Sequence, residues 1–265
     1  MDYGTLKNYF PRPKRWETMK LFEKIQYTFS RFTPDFGKFV HKLDAKRIVK
    51  ELAGNTIEVP RVVREMAQWD DISPADLNPD HIIKATHGSG FNINIEHGVT
   101  YNMNFIKQNL QQFNRMKYLN FRESQYKYVK PGFFIEEKIH DYANAKNGNA
   151  ITFMIYCIHG IPYTLIMSDK RLDRYRHFYV HTDYRMEQIP IENQVYHPFI
   201  IPPQETMNRM FDGAKALSKL FEFVRIDFYL DIYNKIYFSE FTFTPHAGLQ
   251  IYSNNMELQL GKLWI

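Results

Sequence analysis

Hydrophobic and polar residues alternate along residues 224–248, VRIDFYLDIYNKIYFSEFTFTPHAG, in a pattern that predicts a β-hairpin with a polar turn. Arg225 and Asp227 share one face of the first strand, and Glu240 lies on the corresponding face of the second. If the turn is centred on residues 233–234, Asp227 and Glu240 lie directly opposite one another, because both are equally far from that centre.

Two facing carboxylates on one hairpin require an explanation. Facing residues of an antiparallel pair have Cβ atoms about 4.5–5.5 Å apart, and like charges at that distance repel. We therefore expect a cation over this face, either the guanidinium of Arg225 or a divalent ion such as Mg²⁺, which prefers oxygen ligands. A solvated hairpin whose carboxylates point into water is the alternative interpretation.

The rest of the chain predicts a mixture of helices and strands. Apolar residues at helical spacing predict four helices, at residues 17–31, 40–52, 100–119 and 202–221. Apolar runs predict further strands, at residues 58–63, 132–139, 150–158 and 161–167. Residues 168–190 are rich in charge, histidine and tyrosine, and predict a mobile loop or lid.

A lysine precedes a small glycine loop within residues 81–96, which predict a strand, a loop and a second strand. Lys84 ends the first strand, and the loop 87–90, HGSG, is small enough to bring backbone N–H groups against a phosphate. It is not a Walker A sequence, because no Lys-Ser or Lys-Thr follows the second glycine. Taken alone, the tetrapeptide is equally compatible with a plain turn.

Composition narrows the classes of protein. With 265 residues, 44% of them hydrophobic and 24% charged, the chain suits one large globular domain or two lobes around a cleft. The net charge of +5 suits a phosphate-bearing ligand or a membrane surface. Scattered basic residues and the lack of a groove-reading motif argue against nucleic acid as a partner. No apolar run approaches the roughly 18–20 residues that span a bilayer.

The single cysteine indicates a compartment. Cys157 excludes an internal disulfide framework and fits a reducing, cytoplasmic environment. It lies within an apolar run, so we expect a buried structural thiol. The histidines of residues 168–190 lack metal-ligand spacing, and we expect no zinc site.

The order and spacing of these features resemble the ATP-grasp superfamily, and most closely its TupA-like branch, which is linked to teichuronopeptide and other surface-polysaccharide synthesis. The similar pieces are FEKIQY (22–27), KLDAKRIVKELAG (42–54), IIKATHGSG (82–90), FFIEEKI (133–139) and the hairpin 224–248. The hairpin also resembles the metal-binding hairpin of D-alanine–D-alanine ligases.

The resemblance implies an α+β fold in which two lobes with antiparallel sheets clasp ATP after a short helical leader. The expected divisions are a leader at 1–40, an N-terminal ATP-grasp part with the phosphate clamp at 41–135, and a C-terminal lobe with the Mg²⁺-binding hairpin at 136–265.

The resemblance also assigns roles to residues. Lys42 and Lys84 would hold the ATP phosphates. The loop that covers the phosphates consists of His87, Gly88, Ser89 and Gly90. The hinge that frames adenine consists of Glu136, Glu137, Lys138 and Ile139. The Mg²⁺ ligands would be Asp227, Glu240 and Thr242. Arg225, together with Lys84, would stabilise charge that develops on the transferred phosphoryl group.

Three positions depart from the family pattern. Thr242 stands where the superfamily usually has asparagine, and His41 replaces the aspartate usually paired with Lys42. Residues 150–152, AIT, stand where the branch has Asp-Tyr-Lys. Because these positions border the site, the resemblance leaves the acceptor open.

The function implied is an ATP- and Mg²⁺-dependent carboxylate–amine ligase that works through an acyl phosphate. Its partners would be ATP, a carboxylate such as a uronic acid of a surface glycan, and an amine, with the oligomeric state open. A glycosyltransferase-like enzyme of the same pathway and a non-catalytic nucleotide-binding protein are the alternatives.

Overall fold

The computed structural model describes residues 6–7, 9–54, 56–116, 121–143, 150–169, 173–191 and 199–265. The α-helices within these residues are α1 Leu21–Thr28, α2 Gly37–Val40, α3 Lys42–Ala53, α4 Met103–Arg115, α5 Gln204–Ser218 and α6 Asn254–Leu263. The strands are β1 Val62–Met66, β2 His81–Ala85, β3 Asn92–Asn94, β4 Phe133–Glu137, β5 Thr152–Ile158, β6 Ile161–Asp169, β7 Arg174–Val180, β8 Met186–Gln188, β9 Phe223–Leu230 and β10 Ile236–Thr242. Among the described residues, no helix combines the length and the apolar character that a bilayer span requires.

The strands form two antiparallel sheets, as the mixed α+β prediction required. The small sheet has the order β1-β4-β2-β3, and the large sheet has the order β10-β9-β5-β6-β7-β8. Within the small sheet, β4 pairs with both β1 and β2, so the predicted hinge strand lies beside the strand that carries Lys84.

The main hydrophobic core lies between one face of the large sheet and helices α3 and α5. Val224, Ile226 and Phe228 alternate along β9, and each is fully buried in this core. Helix α5 contributes an apolar face to it, formed by Met207, Met210, Phe211, Ala214 and Leu217. The polar residues of β9 must therefore lie on the opposite face of the sheet.

Part of that opposite face is covered by α1, α6 and the 3-10 turn Trp16–Thr18. The Lys24 ammonium is buried and donates to the carbonyls of Gly261 and Trp264, at 2.8 and 2.6 Å. The rings of Trp16 and Trp264 meet edge to face, with centroids 5.3 Å apart. The predicted helix 17–31 is thus divided into a turn and α1, and α6 is a helix that the sequence pattern did not indicate.

The predicted loop or lid at residues 168–190 is wrong, because β7 and β8 extend the large sheet there. Phe178 and Val180 bury into the core under α5, and His177 buries on the opposite face against the ring of Tyr252. The tyrosines and arginines of β7 are half-buried, and the arginines and histidine among its strand-favouring residues made the segment resemble a polar loop. The predicted strand 58–63 also begins later, at Val62, with Pro60 in the approach.

The β9–β10 hairpin confirms the predicted pairing of Asp227 with Glu240, but by a different route. Leu230 pairs with Ile236, so the turn is centred on Tyr233 alone. Ser239 is then an extra residue, a β-bulge that shifts the register and brings Glu240 opposite Asp227. Because of the bulge, both Phe238 and Phe241 are buried, although strict alternation would place them on different faces.

Candidate active site

The cation expected over the hairpin carboxylates is Arg225. Its guanidinium donates from Nε to Oδ1 of Asp227 at 2.7 Å and from Nη2 to Oδ2 at 2.6 Å. The same Nη2 lies 3.4 Å from Oε1 of Glu240 and 3.2 Å from Oγ1 of Thr242. Arg225 is 8% exposed and Asp227 3% exposed, so the solvated-hairpin alternative is excluded for Asp227, whereas the Glu240 side chain is 32% exposed. Burial opposes the charge of Arg225, but Asp227, with the surrounding groups, outweighs it and raises the pKa of the guanidinium.

The oxygen atoms that the hairpin offers as metal ligands suit Mg²⁺. Asp227, Glu240 and Thr242 present two carboxylates and a hydroxyl on neighbouring strands. Over the described part of the chain, no group of three or more His, Cys, Asp or Glu side chains forms a complete metal cage. Mg²⁺ characteristically uses one or two carboxylates and completes its shell with water and phosphate oxygens. The donor set therefore suits a nucleotide-bound metal better than a structural one.

A second charged cluster lies on the small sheet. The Glu136 carboxylate accepts from Lys84 at Oε1, and its Oε2 lies 2.9 Å from the ammonium of Lys46. Glu136 is 2% exposed. Burial alone would raise its pKa, but the two lysines together lower it. Burial likewise opposes the charge of Lys84, but Glu136 and more distant groups outweigh it and raise the pKa of Lys84.

The glycine loop is held by Lys42. The Lys42 ammonium donates to the carbonyl of Gly88 at 2.6 Å and more weakly to that of His87 at 3.4 Å. Gly88 and Gly90 have positive φ angles of 72° and 75°, which glycine adopts without strain. The buried ring of His87 contacts the carbonyl of Phe113 at 3.0 Å, and burial lowers its pKa. Ser89 of the same loop is exposed.

The two clusters face each other across a cleft. Burial lowers the pKa of Lys42 to about 8, and the carboxylate of Glu240, on the other sheet, partly offsets that effect. Residues from both sheets line the narrow pocket between them: Ile82, Lys84, Asn94, Glu136, Glu137, Lys138 and Ile139 from the small-sheet side, with Ala150 and Tyr229 from the large-sheet side. The pocket therefore contains all four predicted hinge residues and one predicted phosphate lysine.

The hinge side chains have partners outside the pocket as well. Glu137 pairs with Arg61, and the Lys138 ammonium donates to the carbonyl of Ile95. The backbone N–H of Lys138 donates to the carbonyl of Asp80 at 2.8 Å. These contacts connect the predicted hinge residues to the neighbouring segments of the small-sheet side.

Sequence reasoning missed Lys46. A lysine on a basic helix is expected to face water, yet Lys46 is 5% exposed and paired with Glu136. The signal that could have found it is its spacing from Lys42, since residues four apart lie on the same face of a helix.

Two antiparallel sheets that bring charged clusters together over a cleft define an ATP-grasp fold. The chain belongs to the TupA-like ATP-grasp family, whose model matches residues 23–265. No curated protein matches the sequence.

Solved structures with this fold include several ligases. The biotin carboxylase of Campylobacter jejuni, in complex with β-γ-ATP, is 13% identical, with a TM-score of 0.50 over 85% of this chain and 46% of its own. The D-alanine–D-alanine ligase of Bacillus anthracis, complexed with ATP, is 14% identical, with a TM-score of 0.48 over 88% of this chain and 64% of its own. The L-amino acid ligase of Bacillus licheniformis is 12% identical, with a TM-score of 0.46 over 80% and 42%. The chain thus spans roughly half the length of these structures.

Proposed function

We propose that this protein is an ATP- and Mg²⁺-dependent carboxylate–amine ligase that activates its carboxylate substrate as an acyl phosphate. The observation that carries the proposal is the pair of facing clusters, Lys84 with Glu136 on one sheet and Arg225 with Asp227 and Glu240 on the other. Phosphoryl transfer depends on positioning and charge neutralisation more than on covalent chemistry by the protein. Membership of the TupA-like ATP-grasp family supports the same reaction class.

In this proposal the nucleotide lies in the cleft between the sheets. The hinge residues Glu136, Glu137, Lys138 and Ile139 border the adenine, and Lys42 and Lys84 bind the phosphates under the backbone of the loop 87–90. Lys42 is already hydrogen-bonded to that loop, so contact with phosphate and closure of the loop are coupled through one side chain. The proposed parts of the chain are a leader at 1–40, an N-terminal ATP-grasp part at 41–135 and a C-terminal lobe at 136–265. The boundary between the last two falls within β4.

Asp227, Glu240 and Thr242 would hold Mg²⁺, which would supply charge neutralisation for the nucleotide phosphates. We assign to Arg225 the stabilisation of charge that develops on the transferred phosphoryl group, because a planar fork of donors suits phosphate oxygens. A carboxylate oxygen of the substrate attacks the γ-phosphorus, and the bond to the bridging oxygen breaks to release ADP. The amine nitrogen then attacks the acyl carbon, inorganic phosphate leaves, and the amine loses a proton to give the amide.

The substrates follow from the family alone. We propose a sugar acid of a surface polysaccharide as the carboxylate and an amino acid or amine as the nucleophile, in the cytoplasm. The cytoplasmic assignment also rests on Cys157, which is buried, with burial raising the pKa of its thiol to about 12. Such a thiol is structural, as expected.

Oxygen-18 transfer tests the reaction directly. Uronic acids and amino acids labelled in the carboxylate are incubated with the protein, Mg²⁺-ATP and a panel of amines, and the released phosphate is analysed by mass spectrometry. An acyl phosphate carries one labelled oxygen into the phosphate, whereas direct hydrolysis of ATP by water does not. The expected result is labelled phosphate that depends on both substrates and is lost in Lys84→Met. Nucleotide binding with no label transfer across the panel would favour the non-catalytic alternative. Sugar transfer from a nucleotide sugar would favour the glycosyltransferase.

A further inference from the structure

The buried carboxylate of Glu136 is shared by two lysines that reach it from different elements. Lys84 reaches Oε1 from β2, the strand paired with β4, and Lys46 reaches Oε2 from α3. The side chains of the three residues are 2%, 15% and 7% exposed for Glu136, Lys84 and Lys46. One carboxylate therefore balances two ammonium groups in a site that water hardly reaches.

Lys46 is placed to act on Lys84 without touching the nucleotide. Lys84 and Glu136 line the cleft between the sheets, while Lys46 lines a separate groove between α3 and the segment that leads into β1. Lys46 thus contacts Glu136 from the side away from the cleft.

The charge balance around Glu136 indicates a role for Lys46. A phosphate in the cleft competes with Glu136 for the Lys84 ammonium and can draw it away from this partner. If Glu136 had no other partner, that movement would leave a buried carboxylate unpaired, which is strongly unfavourable. With Lys46 still 2.9 Å from Oε2, the carboxylate stays neutralised when Lys84 leaves.

We propose that Lys46 is a positioning residue that allows Lys84 to exchange its bond to Glu136 for a bond to nucleotide phosphate. This inference rests on the proposed nucleotide site. It also gives Glu136 a role besides the bordering of adenine, as the resting partner of the phosphate-binding lysine.

A double-mutant cycle on nucleotide affinity tests the exchange. ADP binding is measured by titration calorimetry for the wild type, Lys46→Met, Glu136→Gln and the double variant, with cooperative thermal unfolding as the check on folding. Lys46→Met is expected to weaken ADP binding by at least about tenfold, because release of Lys84 now strands Glu136. Lys46→Arg retains a cation at Oε2 and should bind ADP within about threefold of the wild type.

The double variant gives the decisive comparison. Once Glu136 is an uncharged glutamine, no carboxylate is stranded, so adding Lys46→Met to Glu136→Gln should change ADP affinity by less than about threefold. A merely structural role for Lys46 predicts an equal loss in both backgrounds, and that outcome overturns the proposal, as does unchanged affinity in Lys46→Met. If Lys46→Met does not fold, Lys46→Gln, which keeps a donor for Oε2, carries the same comparison. Failure of the wild type to bind ADP would instead overturn the proposed function.

Discussion

The guanidinium of Arg225 donates two parallel hydrogen bonds, of 2.7 and 2.6 Å, to the carboxylate of Asp227, two residues along the same strand. Since side chains two apart on a strand share a face, the guanidinium lies along the sheet instead of projecting from it. In this position it neutralises the carboxylates that would bind Mg²⁺. The proposed metal ligands Asp227 and Glu240 are therefore both paired with Arg225.

Removal of the guanidinium should make these ligands available to a metal. In Arg225→Met the facing carboxylates of Asp227 and Glu240 lose the guanidinium that pairs with both, so we expect Mn²⁺ to bind without nucleotide at least about tenfold more tightly than to the wild type. Electron paramagnetic resonance of free Mn²⁺ measures the change. Arg12→Met, which breaks a distant pair with Glu222, is the matched control. Equal Mn²⁺ affinity in Arg225→Met and the wild type would contradict the arrangement.

The same variant should lose stability. Breaking a buried ion pair by removing one partner typically costs about 3–5 kcal/mol, because the other charge stays buried. We expect a loss of that size in the free energy of unfolding, measured by denaturant titration, and a partial recovery in millimolar Mn²⁺. A recovery of equal size in the wild type would show that Mn²⁺ acts elsewhere.

Glu240 should be required for stabilisation by Mg²⁺-ATP. At a hundredfold excess over its dissociation constant, a ligand that binds only the folded state stabilises it by about 2.7 kcal/mol. We expect the wild type to show a clear rise in melting temperature and Glu240→Gln to lose most of it. Glu187→Gln, a change on the exposed strand β8, should behave as the wild type. If Mg²⁺-ATP does not shift the wild type at all, the nucleotide site is excluded.

Nucleotide affinity should fall as the pH rises through about 8. Burial lowers the pKa of Lys42 to about 8, so the free protein loses this positive charge above that pH. Bound phosphate favours the charged amine and raises its pKa in the complex, so binding takes up a proton in this range and weakens as protons become scarce. ADP affinity measured from pH 7 to 9.5 should follow this trend. Lys42→Arg, which remains charged, should flatten the profile.

The stability of the protein should be sensitive to a single methyl group added at Gly248, in the segment that follows β10. Gly248 has φ +68°, and a Cβ built there would lie 2.6 Å from Cζ of the buried Phe29. Gly98 has φ +74° with open space around it, so Gly98→Ala bears only the left-handed penalty of roughly 1–2 kcal/mol. Gly248→Ala adds an overpacking cost of roughly 1–3 kcal/mol. Urea denaturation of both variants separates the backbone cost from the overpacking cost. Equal losses in the free energy of unfolding would show that Phe29 moves aside without cost.

The pairing of Asp227 with Glu240 could be predicted because both are equally far from a turn centred on residues 233–234. The bulge at Ser239 could not, because several combinations of turn and bulge bring Asp227 opposite Glu240. The sequence predicts that Asp227 pairs with Glu240. The burial of both Phe238 and Phe241 in the core favours the combination of turn and bulge that is observed.

The misses share a physical origin in tertiary burial of polar residues. Charged residues favour an exposed or loop prediction, yet Lys46 pairs with Glu136, far along the chain, and β7 lies within the large sheet between β6 and β8. A local pattern reports average exposure and does not show which ammonium group meets a buried carboxylate. Helix and strand existence was therefore easier to predict than the partners of the charged residues.

The three tryptophans of the chain lie in two separate parts of the fold. The intrinsic fluorescence of the protein can therefore report on each part separately. Trp16 and Trp264 meet edge to face beneath the large sheet, and the ring of Trp264 also stacks on Phe223, so their emission depends on the docking of the terminal helices. Trp69 lies in the separate hydrophobic cluster of the small sheet and α4. With Trp69 replaced by phenylalanine, emission follows the packing of Trp16 against Trp264, and so the contact between the leader and the end of α6. With Trp16 and Trp264 replaced instead, it follows the lobe that carries the glycine loop. Loosening of either part can then be timed separately as nucleotide binds.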